Sequence, residues 1–297
     1  MSTKFSLKPL IILATLALSA CSQPTLTLPS RPSALKEIET TGKIIDLRSG
    51  DSLTSQQLLT QLASAPRLIV GEKHDNEKHH LIEMWLIKNL PQQRPQGSVL
   101  LEMLTANQQP RVDQLKQWLK DDPMVREGRI QHLLYWEQGW PWEMYHGVVM
   151  QALRAPYPLL VANINRDRVQ DLYKNPRIPV GKISTAPDVQ NAIRETITNM
   201  HDGKIDQTQL NAMLAIQQQR DRFMAQQLLA APAPALLIAG GYHAAKQMGV
   251  PLHMQDLAPA SRPVVLMLAE TGMNITFAQA DYVWYVPLPE ANSLAGL

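Results

Sequence analysis

The sequence is poor in cysteine and aromatic residues, and it lacks several motifs that mark common enzymes. Its 297 residues include 1 Cys and 3 Phe, and aromatic side chains make up 5% of the chain. A single cysteine, Cys21, excludes an intramolecular disulfide. The Gly-x-Ser-x-Gly elbow of serine hydrolases and the His-Glu-x-x-His motif of zinc proteases are absent, as are internal repeats and low-complexity tracts.

The chain also lacks a net charge of either sign. It has 28 Lys and Arg against 26 Asp and Glu, and two of the basic residues, Lys4 and Lys8, lie in a segment that we expect to be cleaved. A mature chain without a basic excess has no electrostatic footprint for nucleic acid, so DNA and RNA are excluded as partners. A hydrophobic content of 45% is typical of a globular protein with one large domain, or one domain with an insertion.

The first 20 residues have the pattern of a secretory signal peptide, with a basic start, an apolar core and a small-residue cleavage site ending at Ala20. The sequence Leu18-Ser-Ala-Cys21 fits a bacterial lipobox, which predicts lipidation of Cys21. Because Ser22 rather than Asp follows, we expect anchoring at the outer membrane, on the periplasmic or surface side, with no other membrane contact. The proline-containing residues 21–40 are predicted to form an extended tether.

Five apolar runs are typical of strands that are buried on both faces of a parallel sheet. Helical patterns separate these runs, which indicates βαβ units. We therefore predict an α/β domain over residues 41–297, with a mostly parallel sheet flanked by helices. The five runs are Arg67–Val70, Gly97–Met103, Tyr157–Asn163, Ala235–Gly240 and Arg262–Glu270, and a last, aromatic-rich strand is expected over 281–289.

Polar side chains follow these runs, at or just beyond the point where each strand ends. The carboxyl ends of parallel strands share one edge, where open α/β sheets bind ligands, so we expect these side chains to form a site. For Asn163 and Glu270, capping of a turn or helix is the simpler interpretation. The expected site-lining residues are Glu72, His74, Asp75, His79, His80, Glu102, Asn163, Asp221 and His243.

Two segments without strands, near 105–140 and 186–232, are predicted to form a smaller, inserted helical lid. In the first, residues 125–137 are predicted to be helical. The second contains a long helix with an apolar stripe that includes Asp221. A buried carboxylate is costly unless it is paired, so we expect Asp221 to face a pocket or to pair with an arginine of the sheet domain, which is the favoured partner.

Several motifs, in order along the mature chain, resemble those of the ChaN family of iron-regulated haem-binding lipoproteins of Gram-negative bacteria. They are Gly71–His80, Leu101–Met103, Val161–Asn163, Asp221–Ala225, Gly240–His243 and Gly249–Pro251. The resemblance implies a sheet domain with a helical lid and a homodimer that holds two face-to-face haems at its interface. It also implies a tyrosine on each iron and a histidine from the partner subunit nearby. Tyr242 is a departure, since relatives often have Gly-Asn-Gly-His at this turn.

The residues leave the haem ligand open. Ferric haem accepts Tyr, His, Met or Cys, and without a Cys-x-x-Cys-His motif the haem is expected to bind non-covalently. Among 7 tyrosines, Tyr145 is the first candidate because it lies in an aromatic-rich segment beside His146, a second haem-binding candidate. Tyr135 and Tyr242 are the alternative ligands, and His243 is expected to contact the haem. The expected role is haem and iron acquisition, with an outer-membrane haem receptor as a further partner.

A metal-dependent hydrolase is the alternative function. A divalent metal would be bound by His74 with His80 or His79, together with Glu72 and His243, and Glu72 or Glu102 would act as the general base. At this motif the sequence is similar to erythromycin-esterase-like and TraB/TIKI-type proteins, some of which are hydrolytic. The third interpretation is a hydrogen-bonded network that only shapes the strand edge.

Overall fold

The computed structural model of the 297-residue chain describes residues 36, 38, 40, 42–121 and 125–288. The predicted signal peptide, the predicted lipidation site Cys21 and most of the tether lie outside the described residues. None of the helices in these ranges has the length and apolar composition of a membrane span.

A single eight-stranded sheet runs through the described part of the chain. Its strands are β1 (Lys43–Asp46), β2 (Ser52–Leu53), β3 (Arg67–Glu72), β4 (Ser98–Thr105), β5 (Leu159–Asn163), β6 (Ala235–Gly240), β7 (Val264–Glu270) and β8 (Tyr282–Val286). Their spatial order is β2-β1-β8-β7-β3-β6-β4-β5. All pairs from β8 to β5 are parallel, and β1 pairs antiparallel with β2 and β8. The predicted α/β fold with a mostly parallel sheet is confirmed.

Helices cover both faces of this sheet. They are α1 (Ser55–Ala63), α2 (Glu77–Gln93), α3 (Gln109–Asp121), α4 (Glu127–Leu133), α5 (Trp142–Arg154), α6 (Arg166–Lys174), α7 (Pro187–Met200), α8 (Gln207–Ala230), the short α9 (Gly241–Ala244) and α10 (Val250–Leu257). Helices α1 to α5 contribute to the core on one face, and α8 to α10 to the core on the other. The strands are continuous apolar runs because both of their faces are buried.

Strand β3 shows how the two faces are filled. Leu68 and Val70 belong to the core that contains α2 and α5, and Ile69 belongs to the core that contains α8. This division follows from the alternation of side chains along a strand. All three residues are fully buried, and each such side chain stabilises the fold by about 1.5–3 kcal/mol. The packing therefore holds Glu72, at the end of β3, in a well-defined position.

Helix α2 begins directly after the polar loop that follows β3. The side-chain oxygen of Asn76 accepts hydrogen bonds from the N–H groups of Lys78 and His79, which caps the helix. The cap fixes the residue at which the helix starts. As a result, His80 and Glu83 lie one turn apart and both approach the end of β3.

The helices predicted as the second lid segment pack in two different ways. Helix α7 and the first half of α8 share a small apolar cluster that includes Val189, Ile193 and Leu214. The second half of α8 packs on the sheet through Met224 and Leu228. Only the part around α7 is therefore separate from the sheet core.

The predicted helix over 125–137 is too long. Helix α4 ends at Leu133, and Tyr135 adopts a positive φ of 48°. A right-handed helix requires a negative φ, so the chain leaves the helix at this point. The turn exposes Tyr135 and leads into the aromatic segment that contains Trp140.

Candidate functional site

The carboxyl ends of β3, β4 and β6 bring predicted site residues together. Glu72 of β3 lies opposite Gly240 in the register of β3 with β6. Glu102 of β4 accepts a hydrogen bond from the N–H of Gly240 at 2.7 Å. Glu72, Glu102 and His243 are all buried. These residues converge because parallel strands align their carboxyl ends, as the sequence predicts.

Glu72, His74 and Tyr145 form the first of two hydrogen-bonded groups at this edge. The Tyr145 hydroxyl lies 3.1 Å from Glu72 Oε1 and 3.1 Å from His74 Nδ1, and His74 Nδ1 also contacts Glu72 Oε1. The His74 ring packs edge-on against Trp140, with 4.8 Å between ring centroids, and keeps 44% of its side chain exposed. In this group His74 reaches solvent, and a buried carboxylate orients it.

Charge in the first group is shared between Glu72 and His74. Burial alone would raise the pKa of Glu72, but the hydrogen-bonded contact with His74 and the charges of the nearby His74 and His80 lower that pKa below its usual range. Burial opposes protonation of His74, yet the Glu72 carboxylate raises the pKa of the imidazole. Burial and the Glu72 charge raise the pKa of Tyr145, so its phenol stays protonated.

His243, Glu102 and Asp221 form the second group. His243 Nδ1 lies 2.5 Å from Asp221 Oδ1, and His243 Nε2 lies 3.3 Å from Glu102 Oε1. Gln217 donates a hydrogen bond to Asp221 Oδ2 at 3.3 Å. The predicted arginine partner of Asp221 is wrong, because α8 carries Asp221 to within hydrogen-bond distance of the imidazole that opens α9.

A carboxylate on each ring nitrogen keeps His243 doubly protonated at neutral pH. Burial opposes this charge, but Glu102 and Asp221 raise the pKa of His243 to about 10. Burial alone would raise the pKa of Glu102, but His243, His74 and the N–H of Gly240 lower it to about 2. Burial raises the pKa of Asp221 in spite of His243. We therefore assign the ion pair to Glu102 and His243, with Asp221 accepting the other imidazole N–H.

Gly240 allows the two groups to approach each other. A Cβ atom at this position would lie 2.9 Å from Cε1 and from Nε2 of His74, and 3.6 Å from Glu102 Oε2. A larger residue would push the His74 ring away from the strand end. The two groups therefore form one continuous polar edge only because residue 240 has no side chain.

A third set of polar groups lies behind Glu72 and is fully buried. His80 Nε2 is 3.5 Å from Glu72 Oε2, and the His80 ring packs on Tyr145 with 4.4 Å between centroids. Glu83 follows one turn later on α2 with 0% exposure. Burial and the Glu72 charge raise the pKa of Glu83 well above its usual range, so its carboxyl favours the neutral form unless a cation lies beside it.

Asp75 and His79 contact the loop after β3 rather than these groups. His79 Nδ1 accepts a hydrogen bond from the N–H of Lys73 at 2.9 Å, and burial lowers its pKa to about 4. Asp75 pairs with Lys73 at 3.4 Å on the surface. Glu270 also contacts Lys73 and accepts a hydrogen bond from the side chain of Asn76, both at 3.0 Å.

Asn163 and His146 also have local contacts. Asn163 donates a hydrogen bond to the backbone oxygen of Glu102 at 3.0 Å, which ties the ends of β4 and β5 together. His146 Nε2 lies 3.7 Å from Glu127, on a different side of α5 from the buried Tyr145. The two adjacent candidates on α5 thus face different surroundings.

An open cleft of about 630 Å³ borders the strand edge. Trp140, which contacts His74, and Asn163, which contacts Glu102, both line it. Its volume falls within the range of about 300–1,000 Å³ that is usual for small-molecule and cofactor sites. A second cleft, of about 540 Å³, lies beside Arg168, Val180 and Arg222. Neither cleft is lined by Glu72 or Glu102, and the first reaches them only through Trp140 and Asn163.

The three candidate tyrosines differ in exposure. Tyr145 is 0% exposed, Tyr135 is 60% exposed and Tyr242 is 51% exposed. Tyr135 lines the cleft of about 630 Å³, and the Arg111 guanidinium lies 3.5 Å from the centroid of its ring. Its positive φ costs on the order of 1 kcal/mol, and such strained residues cluster at functional sites.

Two residues near the site were not found by sequence reasoning. Glu83 shares a helical face with His80 and Leu90, so the argument that identified Asp221 as a costly carboxylate on an apolar stripe applies to it equally. Arg220 lines the cleft, and its Nε is buried without a hydrogen-bond partner among the described residues. No local signal distinguishes Arg220 from other arginines, because its position depends on how α8 packs.

Residues 58–254 match the model of a family described as haem-binding uptake, Tiki superfamily, ChaN. Among solved structures, ChaN of Campylobacter jejuni, described with cofacial haem binding, is similar with a TM-score of 0.76 and 26% identity, over 82% of this chain and 96% of that chain. The type III effector HopBA1 has a TM-score of 0.43 and 10% identity over 78% and 92% of the two chains. An erythromycin esterase, EreC, has a TM-score of 0.43 and 13% identity over 73% of each. No curated protein sequence gives a significant match.

Proposed function

Because the chain belongs to the ChaN family of haem-binding uptake proteins in the Tiki superfamily, we propose that it binds haem non-covalently in the cleft beside the strand edge and so takes part in iron acquisition. The similarity to a structure that is described with bound haem supports haem as the ligand. The volume of the cleft, about 630 Å³, and its Trp136 and Trp140 walls suit a large planar ligand.

The observation that carries the proposal is the position of Tyr135. It is a largely exposed tyrosine on the cleft wall, and Arg111 restricts its ring by packing over it. Tyr145 has neither property, since it is fully buried and its hydroxyl already contacts Glu72 and His74. We therefore propose Tyr135 as the iron ligand in place of the first candidate, Tyr145.

The other candidate ligands have weaker support. Tyr242 is exposed beside His243 but is not among the residues that line the cleft. Both ring nitrogens of His243 contact carboxylates. His146 contacts Glu127 on the far side of α5. Tyr242 is therefore the alternative to Tyr135, and the two histidines are proposed to act at the cleft only indirectly.

Two arginines of the cleft suit the propionate groups of haem. Arg166 and Arg220 both line it, and neither has an ion pair with a carboxylate among the described residues. The buried, unpartnered Nε of Arg220 is a donor for an anionic ligand group. When haem is bound, a tyrosine ligand favours the ferric state, which suits capture and release more than electron transfer.

We also propose that two copies of the chain hold haem between them. The Campylobacter jejuni relative is described with cofacial haem. The cleft of this chain is open, so a haem seated in it keeps one face uncovered, and a two-fold related copy would cover that face. The same proposal places a histidine of the partner subunit near the haem. It also includes an outer-membrane haem receptor as the partner with which the chain exchanges haem.

The proposed location is the outer membrane, through a lipid on Cys21. The lipobox in the sequence supports this proposal. Metabolic labelling with a radioactive fatty acid is expected to label the wild-type chain but not Cys21→Ser, and the wild type is expected to fractionate with outer membranes. Labelling of both proteins, or of neither, would reject the anchor without affecting the haem proposal.

A hemin titration tests the proposed function. The wild type is expected to give a saturable change of the Soret band with a tyrosinate-type high-spin spectrum, and size-exclusion chromatography is expected to show a dimer when haem is bound. Tyr135→Phe is expected to change the spectrum. Tyr173→Phe is the matched control, because Tyr173 is 49% exposed on α6 and does not line the cleft.

Each result has a definite meaning. If the wild type shows no saturable Soret change, haem binding is wrong. If Tyr135→Phe keeps the wild-type spectrum and Tyr242→Phe changes it, haem binding stands and the ligand moves to Tyr242. An unchanged spectrum in both variants moves the ligand to Tyr145 or to a histidine.

Hydrolysis at His74 is the second candidate function. One observation favours it: the half-exposed His74 imidazole is oriented by a buried carboxylate, as a general base requires. A metal shared with His243 has less support, because both ring nitrogens of His243 contact carboxylates. Wild type, His74→Asn and the exposed control His132→Asn can be compared on a panel of esters. Activity lost only in His74→Asn would support this function, and an inactive wild type would reject it.

A further inference from the structure

Behind Glu72, away from the cleft, five buried polar atoms have no hydrogen-bond partner among the described residues. They are Oε2 of Glu72, both ring nitrogens of His80 and both carboxylate oxygens of Glu83. Each unpaired buried group costs about 1–3 kcal/mol, and charged groups cost more. Five such atoms in one place require a specific cause.

The separations between these atoms are those of ligands around one ion. One nitrogen or oxygen from each of Glu72, His80 and Glu83 lies within 4.8 Å of the other two. Glu72 Oε2 and His80 Nε2 are 3.5 Å apart and yet make no hydrogen bond. Two ligand atoms that are each about 2.0–2.2 Å from one ion lie roughly 3–3.5 Å apart. A small inward movement would bring all three side chains to this distance.

We propose that Glu72, His80 and Glu83 bind one divalent first-row transition-metal ion of the Zn²⁺ type in the interior of the protein. One imidazole nitrogen with two carboxylate oxygens is a donor set that such ions accept. The two carboxylates balance the charge of the ion. Ca²⁺ and Mg²⁺ fit poorly, because they require more oxygen or water ligands than this closed site provides.

The three ligands come from rigid elements. His80 and Glu83 are three residues apart on α2 and so share one face of the helix. Glu72 ends β3, which is buried on both faces by the two cores. A metal site has a defined geometry when packed secondary structure holds its ligands in place.

The ion acts on the strand edge through Glu72. Oε2 of Glu72 binds the ion, while Oε1 accepts the hydrogen bond from Tyr145 and contacts His74. The ion therefore holds the Glu72 carboxylate in place from the interior side, and this carboxylate in turn orients His74. This site is separate from the proposed haem cleft, and its existence does not depend on haem binding.

Elemental analysis and thermal unfolding test the site. The full chain is prepared without a polyhistidine tag, without haem, and with Cys21→Ala so that no thiol binds metal. Metal content is measured after loading with Zn²⁺ and dialysis, and Tm is measured with Zn²⁺ or with EDTA. The site variants are Glu83→Gln and His80→Gln. Their controls are Glu77→Gln, exposed on the same helix, and His132→Gln, exposed on α4.

The wild type and both controls are expected to keep about one equivalent of Zn²⁺ per chain and to gain several degrees in Tm over the EDTA sample. Both site variants are expected to lose the metal and the gain in Tm. Equal metal content in controls and site variants, or a wild-type Tm that is the same with Zn²⁺ and EDTA, would overturn the proposal.

A second measurement covers the case in which Glu83→Gln does not fold. Co²⁺ loading of the wild type is expected to give visible absorption bands of a Co²⁺ ion bound to nitrogen and oxygen. His80→Gln is expected to lose or shift those bands. An identical Co²⁺ spectrum in the wild type and His80→Gln would show that the ion binds elsewhere.

Discussion

Tyr145 donates a hydrogen bond to Glu72 Oε1 at 3.1 Å from a position with no solvent exposure. This contact makes Tyr145 part of the interior that supports the strand edge. We expect Tyr145→Phe to lower the free energy of unfolding by about 1–3 kcal/mol, because the buried carboxylate loses a donor. Urea denaturation measures this loss.

Tyr145→Phe also tests whether Tyr145 only supports the strand edge or binds the haem iron. We expect Tyr145→Phe to keep the wild-type hemin spectrum, in contrast to Tyr135→Phe. A spectrum that changes in Tyr145→Phe but not in Tyr135→Phe would return the ligand to the residue that the sequence favours first.

Arg220→Gln tests the binding of haem propionates. Arg220 lines the cleft with an unpartnered buried nitrogen, and the loss of a charge-assisted hydrogen bond of about 1.4 kcal/mol weakens binding roughly tenfold. We therefore expect a higher Kd for hemin with an unchanged Soret position. Arg154→Gln, at the exposed end of α5, is the control. Equal affinity of the two variants for hemin would exclude Arg220 from the binding site.

The ion pair between Glu102 and His243 predicts how stability depends on pH. The folded pKa of His243, about 10, exceeds its ordinary value of 6.5, so this contribution is complete below pH 6.5 and is lost as the pH rises toward 10. The folded pKa of Glu102, about 2, lies below its ordinary value of 4.5, so its contribution is complete above pH 4.5 and is lost as the pH falls toward 2.

The free energy of unfolding of His243→Gln is therefore expected to change less between pH of about 6 and about 9 than that of the wild type. The free energy of unfolding from urea titrations at the two pH values provides the comparison. His201→Gln, exposed at the end of α7, is the control, and its free energy of unfolding should change with pH as that of the wild type does. A wild-type slope in His243→Gln would show that this imidazole is not charged in the folded protein.

Gly240→Ala tests the close approach of the two groups at the edge. The added Cβ would lie 2.9 Å from the His74 ring, which Glu72 and Trp140 hold in place. We expect a loss of about 1–3 kcal/mol in the free energy of unfolding and a changed imidazole NMR signal for His74. Gly128→Ala is the control, since its Cβ would meet nothing within 4 Å. A Gly240→Ala protein as stable as the control would contradict this packing.

The strands and the residues at their ends could be predicted from the sequence. Glu72 ends a continuous apolar run and Glu102 lies near the end of another, and such runs depend on residues that are neighbours in the chain. The extent of α4 and the partner of Asp221 could not be predicted in this way. The first depends on the φ angle of Tyr135, and the second on where α8 crosses the end of β6.

The sequence by itself determined a parallel sheet whose carboxyl ends collect acidic and imidazole side chains, because hydrophobic periodicity and the alternation of strands with helices are local patterns. Only the tertiary structure decided that Tyr145 is buried against Glu72 while Tyr135 is exposed at the cleft. It also decided that Glu83 approaches Glu72 and His80 in the interior. These relationships depend on how helices pack across the sheet, and packing joins residues that no short-range pattern connects.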